Sequence, residues 1–180
     1  MVTRRPLGPG ERAPAFTATA WDGSSVSLAD YAGRRVWLSF YRHVNCPLCN
    51  LRLHEIQGWH AGLAHQGLQL MAVFQSPRDR FPDKLGDTRP GYPWLSDPEE
   101  RLYALYHLGT SLAGTLSPAN LPLFAKAFAQ GLASPKVDGT LTRIPGDFLI
   151  DARGLIADAF YGQKIGDHIP LARVEAFLRG

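Results

Sequence analysis

VWLSFYRHVNCPLCNLRLHEIQGWHAGLAHQG, residues 36–67, contains the two periodicities that decide the fold. Residues 36–41 are an apolar, β-branched and aromatic run with almost no polar alternation, the mark of a strand buried on both faces. From Pro47 onward Leu48, Leu51, Ile56, Trp59 and Leu63 recur at helical spacing as far as Gly67. Pro47 suits the first helical position, where a missing N–H costs nothing. Between strand and helix stand Cys46 and Cys49. Cys46 therefore falls at the N-cap, facing unpaired backbone N–H groups and the positive end of the helix dipole. Both favour thiolate over thiol. Cys49, one turn in, is expected to be less exposed and close enough to close a disulfide. Arg42 and His43, just upstream, add positive potential.

Outward from that stretch the chain reads as an α/β domain. Residues 1–14 are an arm punctuated by Pro and Gly. FTATAW, Asp22-Gly23 and SSVSL form a hairpin pattern, because Asp-Gly supplies positive φ. Ser27 is placed to cap a short turn that Gly33 ends. Residues 68–75 are a second buried strand. Ser76-Pro77 and Asp97-Pro98 read as helix starts. FLID and LIADAFY, joined by Ala152-Arg153-Gly154, read as a second hairpin, and Pro170 opens a last helix. Residues 107–143 fit least well. Leu123, Phe124, Ala127 and Phe128 form an apolar stripe there that predicts a helix packed on the core, with a dimer contact or a lid over the active site as alternatives.

Composition narrows the function. The chain has 180 residues, 45% of them hydrophobic and 19% charged, which fits one ordinary globular domain spanning 1–180. A domain of this size buries roughly 70% of the surface of its unfolded chain and needs no staples. The formal charge of +3 is spread without runs, which gives little support to nucleic-acid or membrane partners. No apolar run reaches the roughly 20 residues that span a bilayer, and no secretory signal is visible, so a cytoplasmic protein is expected. Two cysteines exclude a disulfide framework and any site needing four thiolates. In a reducing compartment a C-x-x-C pair points to redox catalysis or a metal. Half a zinc site, completed by two of His43, His54 and His60, lacks the usual second ligand pair, and no cofactor is expected.

GERAPAFTATAWDGSSVSLADYAGRRVWLSFYRHVNCPLC and PGDFLIDARGLIADAFYG together resemble the thioredoxin-fold superfamily of alkyl hydroperoxide reductases and thiol-specific antioxidants. Its peroxiredoxin-like branch with Cys-Pro-x-Cys is most similar, sharing a helical insertion (here 107–143) and a Gly166-Asp167-His168 near the end. The resemblance implies a thioredoxin-like fold: a central mixed β-sheet flanked by helices, with an N-terminal hairpin. It leaves two roles open for the same sulfurs. Peroxiredoxins carry Pro-x-x-x-Thr/Ser-x-x-Cys, which aligns Cys49 with the peroxidatic cysteine, Cys46 with the Thr/Ser and Arg42 with the Pro. Their distal Arg falls near Pro145, with Arg143 two residues earlier. The thioredoxin match makes Cys46 the nucleophile, Cys49 the resolving thiol and Pro145 a cis proline facing them.

The expected activity is a thiol–disulfide oxidoreductase cycling Cys46–Cys49, with a thiol peroxidase as the alternative. Catalysis is expected from Cys46, Cys49 and Arg42. Substrate contacts are expected from Ile144, Pro145, Pro47 and His43, the Ile144 backbone being free to pair with substrate. A thioredoxin- or glutathione-type reductant and a disulfide or hydroperoxide substrate are implied, and a homodimer is left open. A metal-holding module would need His107 or His168 as a third ligand.

Overall fold

A computed structural model describes residues 5–85, 89–132 and 136–180 of the chain. Residues 1–4 of the expected arm and 133–135 of the segment 107–143 lie outside the described residues. Seven strands make one sheet: β1 (Thr17–Ala20), β2 (Ser25–Ser27), β3 (Arg35–Phe40), β4 (Leu68–Phe74), β5 (Trp94–Ser96), β6 (Gly146–Ile150) and β7 (Ile156–Tyr161). Their spatial order is β2-β1-β5-β4-β3-β6-β7. The sheet is mixed, since β3 runs parallel to β4, and β4 to β5, while β6 lies antiparallel against β3.

The unbroken apolar runs are explained by cores on both faces. In β3, Trp37 feeds one apolar cluster while Val36, Leu38 and Phe40 feed the other, and β4 divides in the same way, Leu70 and Phe74 against Met71 and Val73. Alternate side chains of a strand point to opposite faces, so a strand buried on both sides needs no polar positions. The first face is covered by α1 (Pro47–His65), α2 (Phe81–Leu85) and α6 (Leu171–Arg179), the second by α3 (Arg101–Leu105) and the N-terminal arm.

Both hairpins and the caps follow the sequence. Gly23 turns the first hairpin at φ 91°, and Ser27 forms a capping box with Asp30 over the 3₁₀ turn Leu28–Tyr31. Two helix starts differ from expectation. Asp97 does accept from the N–H groups of Arg101 and Leu102, at 3.0 and 2.7 Å. Residues 97–100 form a turn first, however, with Glu100 at φ 55°, so α3 begins at Arg101. Ser76 caps no helix; its hydroxyl accepts from the Val44 N–H at 2.9 Å. Strand β5 was not anticipated, because three residues between Pro93 and Asp97 are too short for a periodic signal.

Residues 107–143 contain α4 (Leu112–Thr115), a 3₁₀ turn (Pro118–Asn120) and α5 (Leu121–Ala129). The stripe does pack on the core: Ala127 is buried, and Leu123 and Phe124 sit against the α1 cluster. Phe128 departs from it and is exposed, as are Leu112, Leu116 and Leu121.

Candidate active site

Strand β3 ends between β4 and β6 and delivers the chain to the first turn of α1. Cys46 is the N-cap, in extended conformation, with its sulfur accepting from the Cys49 N–H at 3.4 Å. Pro47 occupies the first helical position as expected. The Arg42 Nη1 donates to the Cys46 sulfur at 3.4 Å, and the Arg42 backbone N–H to the Cys49 sulfur at the same distance. One residue thus addresses both sulfurs, with its side chain on one and its main chain on the other.

This geometry separates the two thiols. Burial alone pushes Cys46 up; the hydrogen bond from the Cys49 thiol, the Arg42 guanidinium and the N–H groups of Cys49 and Leu48 outweigh it and bring it to about 6, against an ordinary 9.0. Cys49 is pushed well above that ordinary value, by burial first and then by its hydrogen bond to Cys46 and the charge there. Both shifts favour the thiolate on Cys46 and the proton on Cys49.

Cys49 was expected to be the less exposed sulfur, but both cysteines are completely buried. From Tyr41 to Asn50 every residue is buried except Pro47, which is half-buried. The surroundings are nonetheless polar. Arg42, His43, Asn45, Asn50 and Gln75 are buried, and four of them have a side-chain atom with no hydrogen-bond partner among the described residues: Arg42 Nε, Asn45 Nδ2, Asn50 Oδ1 and Gln75 Oε1. Such atoms are rare in native interiors and mark a place meant to meet another polar group. His43 Nδ1 lies 2.9 Å from Asp138 Oδ1, and burial, then Arg42, hold its pKa below the usual value against the pull of Asp138.

Ile144 and Pro145 require correction. No peptide bond among the described residues is cis, so Pro145 is trans. The Ile144 N–H is not free for a substrate, since it donates to the Gly109 carbonyl at 3.3 Å, and its side chain is buried. Arg143 does not reach the sulfurs either. It pairs with Glu100, donates to the Leu108 carbonyl at 2.9 Å and lies over the Tyr103 ring. His107 and His168 are also committed elsewhere, to the Arg5 carbonyl at 2.7 Å and to Asp147 at 3.1 Å. Among the described residues no group of three His, Cys, Asp or Glu side chains is placed to hold a metal ion.

Sequence reasoning missed several members of this neighbourhood. Glu100 gathers Arg143, Gln75 and Thr140. Asn50 carried a visible signal, being a polar residue on the apolar face of α1. Asp138 carried none.

The chain matches the family model described as AhpC/TSA over residues 9–159. A Mycobacterium tuberculosis (strain H37Rv) protein provisionally named a peroxiredoxin is 38% identical over 171 residues, 93% of each chain. The crystal structure of the peroxidoxin BcpB from the same species superposes with a TM-score of 0.67 at 16% identity, covering 96% of this chain and 95% of the other. A Chlorobium tepidum protein provisionally assigned as the thiol:disulfide interchange protein DsbE gives 0.65 at 20%, covering 96% and 99%. These structural likenesses show the thioredoxin-like fold.

Proposed function

The chain belongs to the AhpC/TSA family, as an oxidoreductase acting on thiols or peroxide, and we propose that it works by cycling Cys46 and Cys49 between dithiol and disulfide, with Cys46 as nucleophile. The observation that carries this assignment is the setting of the Cys46 sulfur: it caps the N-terminus of α1, accepts from the Cys49 N–H and from Arg42 Nη1, each at 3.4 Å, and these contacts favour its thiolate over that of Cys49.

With a disulfide substrate, the Cys46 thiolate attacks one sulfur, the S–S bond breaks and a substrate thiolate leaves. Cys49 then gives up its proton, attacks the mixed disulfide and expels the second thiolate. With a hydroperoxide, the same thiolate attacks the terminal oxygen, the O–O bond breaks and the alkoxide leaves protonated as an alcohol. Cys49 condenses with the resulting sulfenic acid and water leaves. A thiol reductant of thioredoxin or glutathione type returns two electrons in either case.

Arg42 serves both reactions by stabilising the attacking thiolate, and His43 and Pro47 border the approach. The peroxide reading has a specific support: the buried sulfur and the unpartnered polar atoms around it suit a small polar electrophile better than a polypeptide. Among the described residues no helix is long and apolar enough to cross a membrane. A cytoplasmic setting belongs to the same proposal, since the cycle needs a reducing thiol pool. The homodimer rests on exposed Leu112, Leu116, Leu121 and Phe128, and sedimentation of Phe128→Glu against the unaltered chain tests it.

Single turnover of Cys49→Ser with one equivalent of hydroperoxide or of a small disulfide, followed by mass spectrometry, tests the assignment. A sulfenic acid or mixed disulfide accumulating on Cys46 is expected, with Cys46→Ser inert to both. Equal reactivity of Cys49 in Cys46→Ser would refute it.

A further inference from the structure

The end of the sheet remote from the sulfurs carries a crevice of about 220 Å³. Its two walls are turns: residues 28–34, between β2 and β3, and residues 151–154, between β6 and β7. Ala13, Leu28, Ala32, Val36 and Ile150 give it an apolar lining. Val36 and Ile150 are buried register partners across β3 and β6, so the floor is the sheet itself. At about 3.3 Å per residue, the run from Val36 to Tyr41 puts that floor roughly 17 Å from the redox turn.

Both walls are internally braced. Ser27 and Asp30 hold the first through their capping box. The Asp151 carboxylate folds the second by accepting from the N–H groups of Arg153 and Leu155, each at 2.9 Å. The Gly33 N–H donates to the Ala152 carbonyl at 3.2 Å and ties one wall to the other. A pre-formed crevice binds without the entropy loss of ordering its walls.

The rim is cationic. Arg12, Arg34 and Arg153 stand around the crevice. Asp151 neutralises Arg153 at 2.8 Å. Arg12 donates to the Arg153 carbonyl at 3.3 Å, and among the described residues neither Arg12 nor Arg34 has a carboxylate within ion-pair distance. Two cations without counter-charges beside an apolar floor suit a ligand with an anionic head and an apolar tail. The guanidinium fork matches a carboxylate in particular. A water-sized group takes about 30 Å³ of liquid volume, so 220 Å³ seats a tail of about seven carbons.

We propose that this crevice binds a short-chain alkyl carboxylate, its tail along Ala32, Val36 and Ile150 and its head between Arg12 and Arg34. The site is separate from the redox turn and does not depend on which sulfur attacks.

Octanoate, acetate and 1-octanol, titrated into the full chain and followed by amide NMR shifts, separate the contribution of the tail from that of the head. Octanoate should saturate, with shifts centred on residues 28–34 and 151–154. It should bind at least about tenfold more tightly than acetate, which lacks the tail, or 1-octanol, which lacks the charge. Arg12→Ala combined with Arg34→Ala should weaken octanoate by at least about tenfold and leave 1-octanol within about twofold. Ala32→Leu fills the crevice from an exposed position and should weaken both. Thermal melts establish that the variants are folded. Acetate binding as tightly as octanoate would reduce the site to surface charge, and 1-octanol doing so would reduce it to an apolar crevice. Either result would overturn the proposal. So would octanoate shifts that fail to saturate or centre elsewhere, or an unchanged octanoate affinity in the folded arginine variant.

Discussion

Arg42 is the residue on which the proposed chemistry turns, because its guanidinium is shared between the Cys46 sulfur and the Leu141 carbonyl. Removing its charge leaves Cys46 with the helix N-terminus and the Cys49 thiol against full burial. Arg42→Gln should therefore raise the Cys46 pKa from about 6 toward the ordinary range. A rise of about 2 units cuts the thiolate fraction at neutral pH, and with it the iodoacetamide rate, by about tenfold. The pH profile of alkylation checks this, and an unmoved midpoint would assign the depression to the Cys49 thiol and the helix terminus instead. The N-cap position of Cys46 was legible in the sequence, since Pro47 suits the first helical position after a strand. Arg42 was legible as nearby charge. Its second bond, to a carbonyl 99 residues away, was not.

At the scale of elements, Asp147 on β6 joins three parts of the fold. Its carboxylate accepts from the Trp37 indole at 2.9 Å and the Ser39 hydroxyl at 2.6 Å, both on β3, and from the Ile169 N–H at 2.9 Å ahead of α6. His168 completes the set. Burial pushes Asp147 up, yet His168, Arg52 and Ser39 outweigh that and keep it ionised. Asp147→Ala strands all these donors and should cost about 3–5 kcal/mol, read as a lowered thermal midpoint. A loss below about 1 kcal/mol would show that water replaces the carboxylate. Gly166 plays a complementary part: a Cβ there would lie 2.6 Å from Leu123 Cδ1 and 3.0 Å from Leu48 Cδ2, so a side chain must push these methyl ends aside for the loop to seat on α1 and α5. Gly166→Val should destabilise by about 1–3 kcal/mol, measured by chemical denaturation.

The elements with strong patterns, β3, β4, α1 and the two hairpins, were readable because each satisfies its own periodicity or turn chemistry. Strand β5 and the loop 137–142 were not. Three residues carry no period, and a loop held by polar contacts to distant residues has no local code. Pro145 failed for a related reason: whether a proline is cis depends on what packs around it, and here Gly109 takes the neighbouring Ile144 N–H.

Across the whole molecule, the proposed Cys46–Cys49 cycle would couple redox state to stability. Because the Cys46 pKa in the folded protein lies below its ordinary 9.0, the reduced form gains stability that is full above about pH 9 and lost as pH falls through about 6. The drop from 9.0 to about 6 sets an upper limit of about 4 kcal/mol on that gain. Cys49, displaced the other way, begins to oppose this only above its ordinary value, so the gain is clearest between pH 6 and 9. The disulfide form has no thiolate to stabilise. The gap between reduced and oxidised melting curves should therefore move in favour of the reduced protein from pH 6 to pH 9; a gap independent of pH would contradict the linkage.

The most direct test of the central claim is a titration of thiolate absorbance in the ultraviolet, which needs no reagent to reach the buried sulfurs. In the reduced protein a step of one thiolate should appear with a midpoint near 6, vanish in Cys46→Ser and persist in a form moved upward in Cys49→Ser. A first step near 9.0, or one that vanishes in Cys49→Ser instead, would show that Cys46 is not the attacking thiol.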